Sequence, residues 1–367
     1  MPVDTLVAAA NRFNPQGHVI GIQEYGNGNV NDTFLVTSDC SEEKHFILQR
    51  INTHVFRHPE SIMVNMRTFT EHVHRRLQSD PIDTARRWEL PRVLLDQEDR
   101  DYWVDPNGSF WRALSFIDGA TSFETIKDLV HACEVGYALG MLHNLLSDLP
   151  SERLTDTLAG FHITPRYLKH YYDILPETSS GKRTEVDYCT RFVNERRGWA
   201  HVLENARVEG RLYLRSIHGD PKVNNVMMDT ATGQSVSIVD LDTVKPGLLQ
   251  YDIGDCLRSG CNPLGEETER WEMVRFETDI CRAILQGYLS LARGFLTEND
   301  YEYLFDSMRL IAFELGLRFF TDYLEGNVYF KAKHQNHNLI RALVQFKLTE
   351  SIEAQAEAIR TIVRDLR

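Results

Sequence analysis

SIHGDPKVNN at residues 216–225, followed by SIVDLD at 237–242, is the stretch that decides the fold. It holds Asp220, then Lys222 two residues on and Asn225 five residues on, and an apolar strand delivers Asp240 fifteen residues after that Asn. Phosphoryl transfer from a nucleoside triphosphate needs this set: a carboxylate to take the acceptor hydroxyl's proton, with an amide and a second carboxylate to hold metal against the phosphates. Asp220 is the candidate base, a role typically worth roughly 10²–10⁴-fold; its bland alternative is an Asp that caps a loop. Asn225 and Asp240 offer oxygen ligands for Mg²⁺, which takes few protein ligands plus substrate phosphates. Taken singly, each would be a turn or cap residue. Lys222 lies between base and metal ligand, placed to neutralise charge on the moving phosphoryl group, unless it is an exposed loop lysine. His218 reads as structural, fixing backbone ahead of the loop.

The chain has 367 residues, enough for two lobes and a substantial core. Its 42% hydrophobic and 25% charged residues are those of an ordinary soluble protein. With 53 acidic against 40 basic side chains, the formal charge of -13 argues against nucleic acid as a partner. Six cysteines lie scattered without a CxxC pair, which fits neither a disulfide framework nor a zinc site and predicts reduced thiols. No stretch reads as a signal peptide or as a membrane span, so a cytoplasmic location without a membrane partner is expected. The sequence predicts no oligomeric state.

Outward from the loop, the spacing predicts a helix over 5–13 behind Asp4, then strands over 19–25, 33–37 and 46–51. Gly26-Asn27-Gly28-Asn29 separates the first two, the signal of a hairpin turn. A helix from Pro59 to about 78 buries Ile62, Met66, Phe69 and Val73 on one face. Strands over 93–95 and 102–104 precede FWRALSF at 110–116. This order is that of an α+β lobe with a mostly antiparallel sheet. After Gly119 the pattern turns helical: Val135, Leu139, Leu142 and Leu146 recur at helical spacing, with Gly136 and Gly140 allowing a close helix contact. Further helices are expected over 165–174, 185–205, 266–296, 298–325 and 338–366. One strand pair, 226–228 and 236–239, carries the Asp220 loop before it and Asp240 after it. The division falls at 1–116, a nucleotide-binding lobe, and 117–367, a catalytic and substrate-binding lobe.

Around this frame, the turn at Gly26 and Gly28 lays backbone N–H groups over phosphates, though such glycines alone are a weak signal. Arg50, ending the strand over 46–51, is expected to face the phosphates where kinases commonly place lysine; Glu60 is either its partner or a surface acid. Backbone groups of Ser115, Phe116 and Ile117 are expected to bind adenine. The segment ELGLRFFTDYLEGNVYF at 314–330 sets Arg318 and Asp322 one helical turn apart among aromatic residues. Polar groups backed by rings suit a sugar. An amphipathic core helix with an i,i+4 ion pair accounts for the same spacing equally well.

Together with GNGNVNDTFLV at 26–36, FILQRIN at 46–52, WRALSFIDG at 111–119 and LDTVKPGLLQYDIGD at 241–255, these residues resemble the N-acetylhexosamine 1-kinases. These form a branch of the aminoglycoside phosphotransferase and choline kinase group, and the similarity runs over nearly the whole chain. The resemblance implies a protein-kinase-like two-lobe fold, with a small antiparallel-sheet N-lobe and a larger, mainly helical C-lobe. It also implies phosphorylation of the anomeric hydroxyl of N-acetylglucosamine or N-acetylgalactosamine, with ATP as co-substrate and Mg²⁺. Asp220 would then be the base, Asn225 and Asp240 the metal ligands, and Arg318 and Tyr329 sugar contacts. Family members place His where this chain has Asn29, a sugar-facing position, and Gly219 and Pro221 are closer to the drug-phosphorylating enzymes. Two rivals stay open: a phosphotransferase for an aminoglycoside, another hexose or an amino alcohol, and a nucleotide-binding pseudokinase.

Overall fold

The computed structural model describes residues 3–14, 17–26, 30–39, 44–79, 86–175 and 183–367. Helix α1 (Val3–Arg12) leads into strands β1 (Val19–Glu24), β2 (Asp32–Ser38) and β3 (His45–Ile51). Helix α2 (Pro59–Ser79) is followed by β4 (Val93–Leu94), β5 (Trp103–Val104) and β6 (Phe110–Ser115). The sheet order is β1-β2-β3-β6-β4, with β5 also on β6, and every pairing is antiparallel. Alternation along the strands assigns its two faces. Phe34, Val36, Phe46, Leu48, Trp111 and Ala113 bury against Ala9 and Ala10 of α1 and Phe13 just after it. The intervening residues Thr33, Gln49 and Arg112 face the other way. Gly26 opens the β1–β2 turn at φ +74°, a conformation that favours glycine; Gly28 and Asn29 lie outside the described residues.

The C-lobe begins with β7 (Ala120–Thr121) and α3 (Leu129–Leu146), then α4 (Thr164–Ile174), α5 (Thr184–Arg196) and α6 (Val202–Val208). Strands β8 (Arg215–Ile217), β9 (Val226–Asp229), β10 (Ser235–Ile238) and β11 (Lys245–Gly247) frame the Asp220 loop and Asp240. They form two small sheets, β10-β9-β7 and β11-β8. Then come α7 (Leu249–Gly260), α8 (Thr278–Ala292), α9 (Glu298–Glu302), α10 (Leu304–Leu324), α11 (His337–Ala354) and α12 (Ala356–Leu366). The expected antiparallel-sheet lobe and helical lobe are both present. Met66, Phe69 and Val73 of α2 join the main C-lobe core, so one apolar cluster runs through both lobes.

Four expected helices are shorter or divided. The span 185–205 breaks between α5 and α6, 298–325 breaks at Tyr303, and 338–366 breaks at Gln355. Helical periodicity survives the one-residue breaks at Tyr303 and Gln355, so the pattern alone did not register those two, while residues 197–201 form a five-residue turn between α5 and α6. Residues 266–277 form no α-helix, only a single 3-10 turn at Trp271–Met273, and Glu266 and Glu267 pair with the buried Arg258 and Arg341.

Gly136 and Gly140 do permit close helix contact, against α8. A Cβ on Gly136 would lie 1.9 Å from the Ile284 carbonyl oxygen, and one on Gly140 2.6 Å from that of Tyr288. Gly287 returns the contact, its Cβ position 1.9 Å from the Cys133 oxygen. Backbone cannot yield as a side chain does, so Gly287→Ala should destabilise the fold by at least about 1–3 kcal/mol in urea titration. Gly294→Ala, where nothing lies within 4 Å, should leave the midpoint unchanged; equal effects at the two positions would refute the packing assignment.

Candidate active site

Asp252 on α7 organises the catalytic loop. Its buried carboxylate accepts the backbone N–H groups of His218 and Gly219, both at 2.8 Å, and faces His143 Nε2 at 2.9 Å. Burial would raise its pKa, but His143 and the loop amide outweigh that and hold it below the ordinary carboxylate range. His218 is buried too; its Nδ1 accepts from the Asp220 N–H (3.2 Å), and its Nε2 therefore donates to the Val239 carbonyl (3.0 Å). Burial pushes its pKa down, so the neutral imidazole bridges the two active-site segments and serves structure. Gly219, at φ +90°, has no room for a side chain: a Cβ would sit 2.5 Å from the Thr243 oxygen.

The structure brings Asp220, Lys222, Asn225 and Asp240 together. Lys222 Nζ lies 3.0 Å from Asp220 Oδ2. Asn225 Nδ2 donates to the Asp220 carbonyl at 2.7 Å, leaving its Oδ1 uncommitted. The Val239 N–H donates to the Asn225 carbonyl at 2.8 Å, which sets Asp240 beside Asn225. Asp240 occupies the left-handed region (φ 66°, ψ 58°) and presents an exposed carboxylate with no protein hydrogen bond among the described residues. Desolvation in the cleft pushes Asp220 up to about 6, with Asp255 and Asp240 adding repulsion and Lys222 opposing it. Asp240 is likewise pushed up to about 6 by desolvation and by Asp242. Burial would lower the Lys222 pKa, but Asp220, Glu266, Asp240 and Asp255 keep the ammonium firmly charged. Such raised carboxylates around one cation are a signature of functional sites.

Arg50 does not face this cleft, contrary to expectation. It shares the α1 face with Phe46 and Leu48, four and two residues back, and its Nε donates to Asp32 of β2 at 2.9 Å. The period of two puts Gln49 on the cleft face instead, where its Oε1 accepts from Arg112 Nη2 at 2.7 Å. Arg112 is the buried cation there, and it reaches across the lobes to pair with Asp242. Asn31 Nδ2 donates to the other Asp242 oxygen at 2.6 Å. Glu60 is exposed at the start of α2, a surface acid.

Where the lobes join, the Ser115 N–H is already committed to the Arg92 carbonyl at 2.9 Å. The N–H groups of Phe116 and Ile117 have no hydrogen-bond acceptor among the described residues. Ile117 is buried against Met227 and Val236, while the Phe116 ring meets Tyr25 edge-on at 5.8 Å.

In the 314–330 segment, the core-helix ion pair does not form. Asp322 accepts the Tyr329 and Phe330 N–H groups (2.7 and 3.0 Å) and Asn338 Nδ2 (2.8 Å), which folds the end of the segment back. Arg318 instead sits among four rings, its guanidinium carbon 5.0 Å from the Phe161 centroid, 5.1 Å from Tyr167, 5.3 Å from Phe330 and 5.9 Å from Tyr329. None of its N–H donors has a protein acceptor among the described residues. Burial would lower its pKa, but Tyr167, Tyr329, Glu314 and Asp220 hold it up, so the cage lies within electrostatic reach of the Asp220 loop.

Sequence reasoning missed Asp252, the Arg112–Asp242 pair and a buried pair, His162–Glu314. Asp242 carried a legible signal, standing two residues from Asp240 at the end of one strand. The other partners are remote in sequence, and nothing local announces them.

A two-lobed scaffold holding a carboxylate, an ammonium, an amide and a second carboxylate where two adjacent segments meet is the site of a kinase-like phosphotransferase. The chain belongs to APH, the phosphotransferase enzyme family, whose model matches residues 21–287. Among solved structures it is similar to a microcompartment-associated aminopropanol kinase (TM-score 0.65, 16% identity, covering 98% of this chain and 99% of that one). It is also similar to a spectinomycin phosphotransferase solved with ADP and spectinomycin (TM-score 0.55, 13% identity, 100% and 98% covered). A choline kinase from Cryptosporidium parvum matches with TM-score 0.55 and 14% identity over 99% and 96% of the two chains. At these identities the likeness is one of fold. Among the described residues, no helix is long and apolar enough to cross a membrane.

Replacing Asp252 by Ala orphans two buried N–H groups and His143. Each unsatisfied donor costs about 1–3 kcal/mol, so chemical denaturation should register a loss of at least that size. Asp252→Asn, which keeps one acceptor oxygen, should lose less; identical losses would show that the carboxylate does not hold the loop.

Proposed function

We propose that this protein is a cytoplasmic kinase that transfers the γ-phosphoryl group of ATP to the anomeric hydroxyl of an N-acetylhexosamine, giving the sugar 1-phosphate. Residues 1–116 hold the nucleotide, with Gly26 and Gly28 at the phosphates and the backbone of Phe116 and Ile117 at adenine. Residues 117–367 supply the catalytic loop and the acceptor pocket, where Arg318, Tyr329 and Asn29 contact the sugar.

One observation carries the choice of acceptor: the Arg318 guanidinium, uncommitted and walled by four aromatic rings within reach of Asp220. Rings cover the apolar faces of a sugar, and a fork of free N–H donors meets its hydroxyl and carbonyl oxygens. The same pocket disfavours a cationic aminoglycoside or amino alcohol. Both nearby acids of α10 are committed, Glu314 to His162 and Thr164 and Asp322 to backbone, leaving a positive charge where a cationic substrate would need a negative one. A pseudokinase is disfavoured because Asp220, Lys222, Asn225 and Asp240 are all present and lie together.

Asp220 orients the acceptor hydroxyl and takes its proton as the oxygen bonds to the γ-phosphorus and the bond to ADP breaks. Lys222 neutralises charge on the transferring group. Asn225 Oδ1 and the open Asp240 carboxylate are hard oxygen donors that fit Mg²⁺, which when bound neutralises charge on the triphosphate. Among the described residues, no group of three or more His, Cys, Asp and Glu side chains could hold an ion by itself, so oxygens of a bound nucleotide would have to supply the remaining ligands.

Asp220→Asn should cut turnover by roughly 10²–10⁴-fold with nucleotide affinity retained, measured by coupled ADP release and direct titration. Near-normal turnover in that variant would remove Asp220 from its role. Because the base works only when ionised, kcat/KM should fall as pH drops through about 6, the raised Asp220 value; a profile flat into the ordinary carboxylate range contradicts this. Tyr329→Ala should raise the KM for N-acetylhexosamine and leave that for ATP unchanged. Phosphorus NMR of the product reads the position, and a 6-phosphate or a phosphorylated amino alcohol would reject the proposed acceptor.

A further inference from the structure

We propose that His162 is a positioning residue for the catalytic base, fixing the Gly219 carbonyl that immediately precedes Asp220 and tying it to the helix that carries Arg318. The inference rests on the reading of Asp220 as the base. Gly219 is held at both backbone groups: its N–H by Asp252, and its carbonyl by His162 Nε2 at 2.7 Å. The other ring nitrogen, Nδ1, lies 3.0 Å from Glu314 Oε1, and Glu314 Oε2 accepts the Thr164 hydroxyl at 2.6 Å. A carbonyl can only accept, and a carboxylate already accepting from Thr164 does so again, so both ring nitrogens donate. His162 is then an imidazolium, buried between Glu314 of α10 and the loop, with the Tyr251 ring of α7 stacked at 5.4 Å and Phe161 at 3.9 Å. Burial opposes the charge, and Glu314, with Asp255 of α7 behind it, more than restores it.

The backbone at His162 sits at φ 66°, a region that a side-chain-bearing residue occupies only when its surroundings enforce it. The neighbouring residue accounts for the placement. Phe161 is one wall of the Arg318 cage, and its carbonyl accepts Lys245 Nζ at 2.9 Å. Two consecutive residues thus touch the acceptor pocket and the loop of the base. Their partners, Glu314 and Arg318, are one turn apart on α10. An acceptor seated at Arg318 is thereby registered against Asp220 through a short, rigid path, and a shift of about 1 Å in such a register can cost 10²-fold in rate.

Two variants separate positioning from packing. Asn tolerates the left-handed backbone, and in His162→Asn its Nδ2 replaces Nδ1 toward Glu314 but falls short of Gly219. In His162→Gln the longer amide reaches the Gly219 carbonyl. With N-acetylhexosamine and ATP, His162→Asn should lose about 10²-fold in kcat with the ATP KM unchanged, and His162→Gln should recover most of that loss. Wild-type kcat in His162→Asn overturns the proposal, as does a parallel decline of kcat and ATP affinity in both variants. Asp220→Asn is assayed alongside: if it keeps turnover, the base assignment has failed, whereas an inactive Asp220→Asn with a fully active His162→Asn rejects the role of His162 alone.

Discussion

A carboxylate taken out of water is tolerated only when its acceptor capacity is filled, and Asp252 fills its own with two loop amides and an imidazole. Everything at the site is referred to that point. The loop it fixes runs from β8 through Gly219, whose left-handed backbone and missing Cβ let the chain pass beside Thr243. Asp220 follows directly, and Asn225 closes the loop by donating back to the Asp220 carbonyl. His218 carries the same frame to the second segment through Val239, so the position of Asp240 is inherited from Asp252 across two hydrogen bonds.

The groups proposed to meet the substrates are themselves left loose. Among the described residues, Asp240 and Asn225 Oδ1 have no partners, Arg318 is steadied by rings and not by acceptors, and Asp220 has only Lys222 as a counter-ion. Their supports are fully bonded. This division, satisfied supports beneath unsatisfied working groups, is what a preorganised site requires: reorganisation is limited to the substrate's arrival. It is also why the two cleft carboxylates are held toward protonation, since each awaits positive charge that the protein alone does not supply in full.

How much of this was legible in the sequence depends on the range of each constraint. The Asp220–Asn225 loop and Asp240 are bound by local geometry, and their spacing along the chain reported their convergence correctly. The glycines of α3 were legible because small residues one helical turn apart, on a helix otherwise apolar, open a groove that suits a neighbouring backbone. Strand polarity was not: reading Arg50 as cleft-facing needed the register of β3 against its neighbours, and a slip of one residue exchanges the two faces. For the 314–330 segment, two readings fitted one spacing equally. The helix is a core helix as the second reading had it, but the folded-back backbone at 329–330 draws Asp322 away from Arg318 and removes the ion pair. Asp252, His162 and Glu314 belong to long-range contacts that a single sequence does not encode locally.

The Arg112–Asp242 pair has a mechanical corollary. It joins the sheet lobe to the segment just beyond Asp240, is sealed from solvent, and is reinforced from either side by Gln49 and Asn31. Swinging the lobes wide apart would break this pair together with the hydrogen bonds from Gln49 and Asn31 that brace it. Opening of the lobes at this point is therefore coupled to the loss of the whole four-residue network, and the jaw behind the cleft is latched by buried polar bonds.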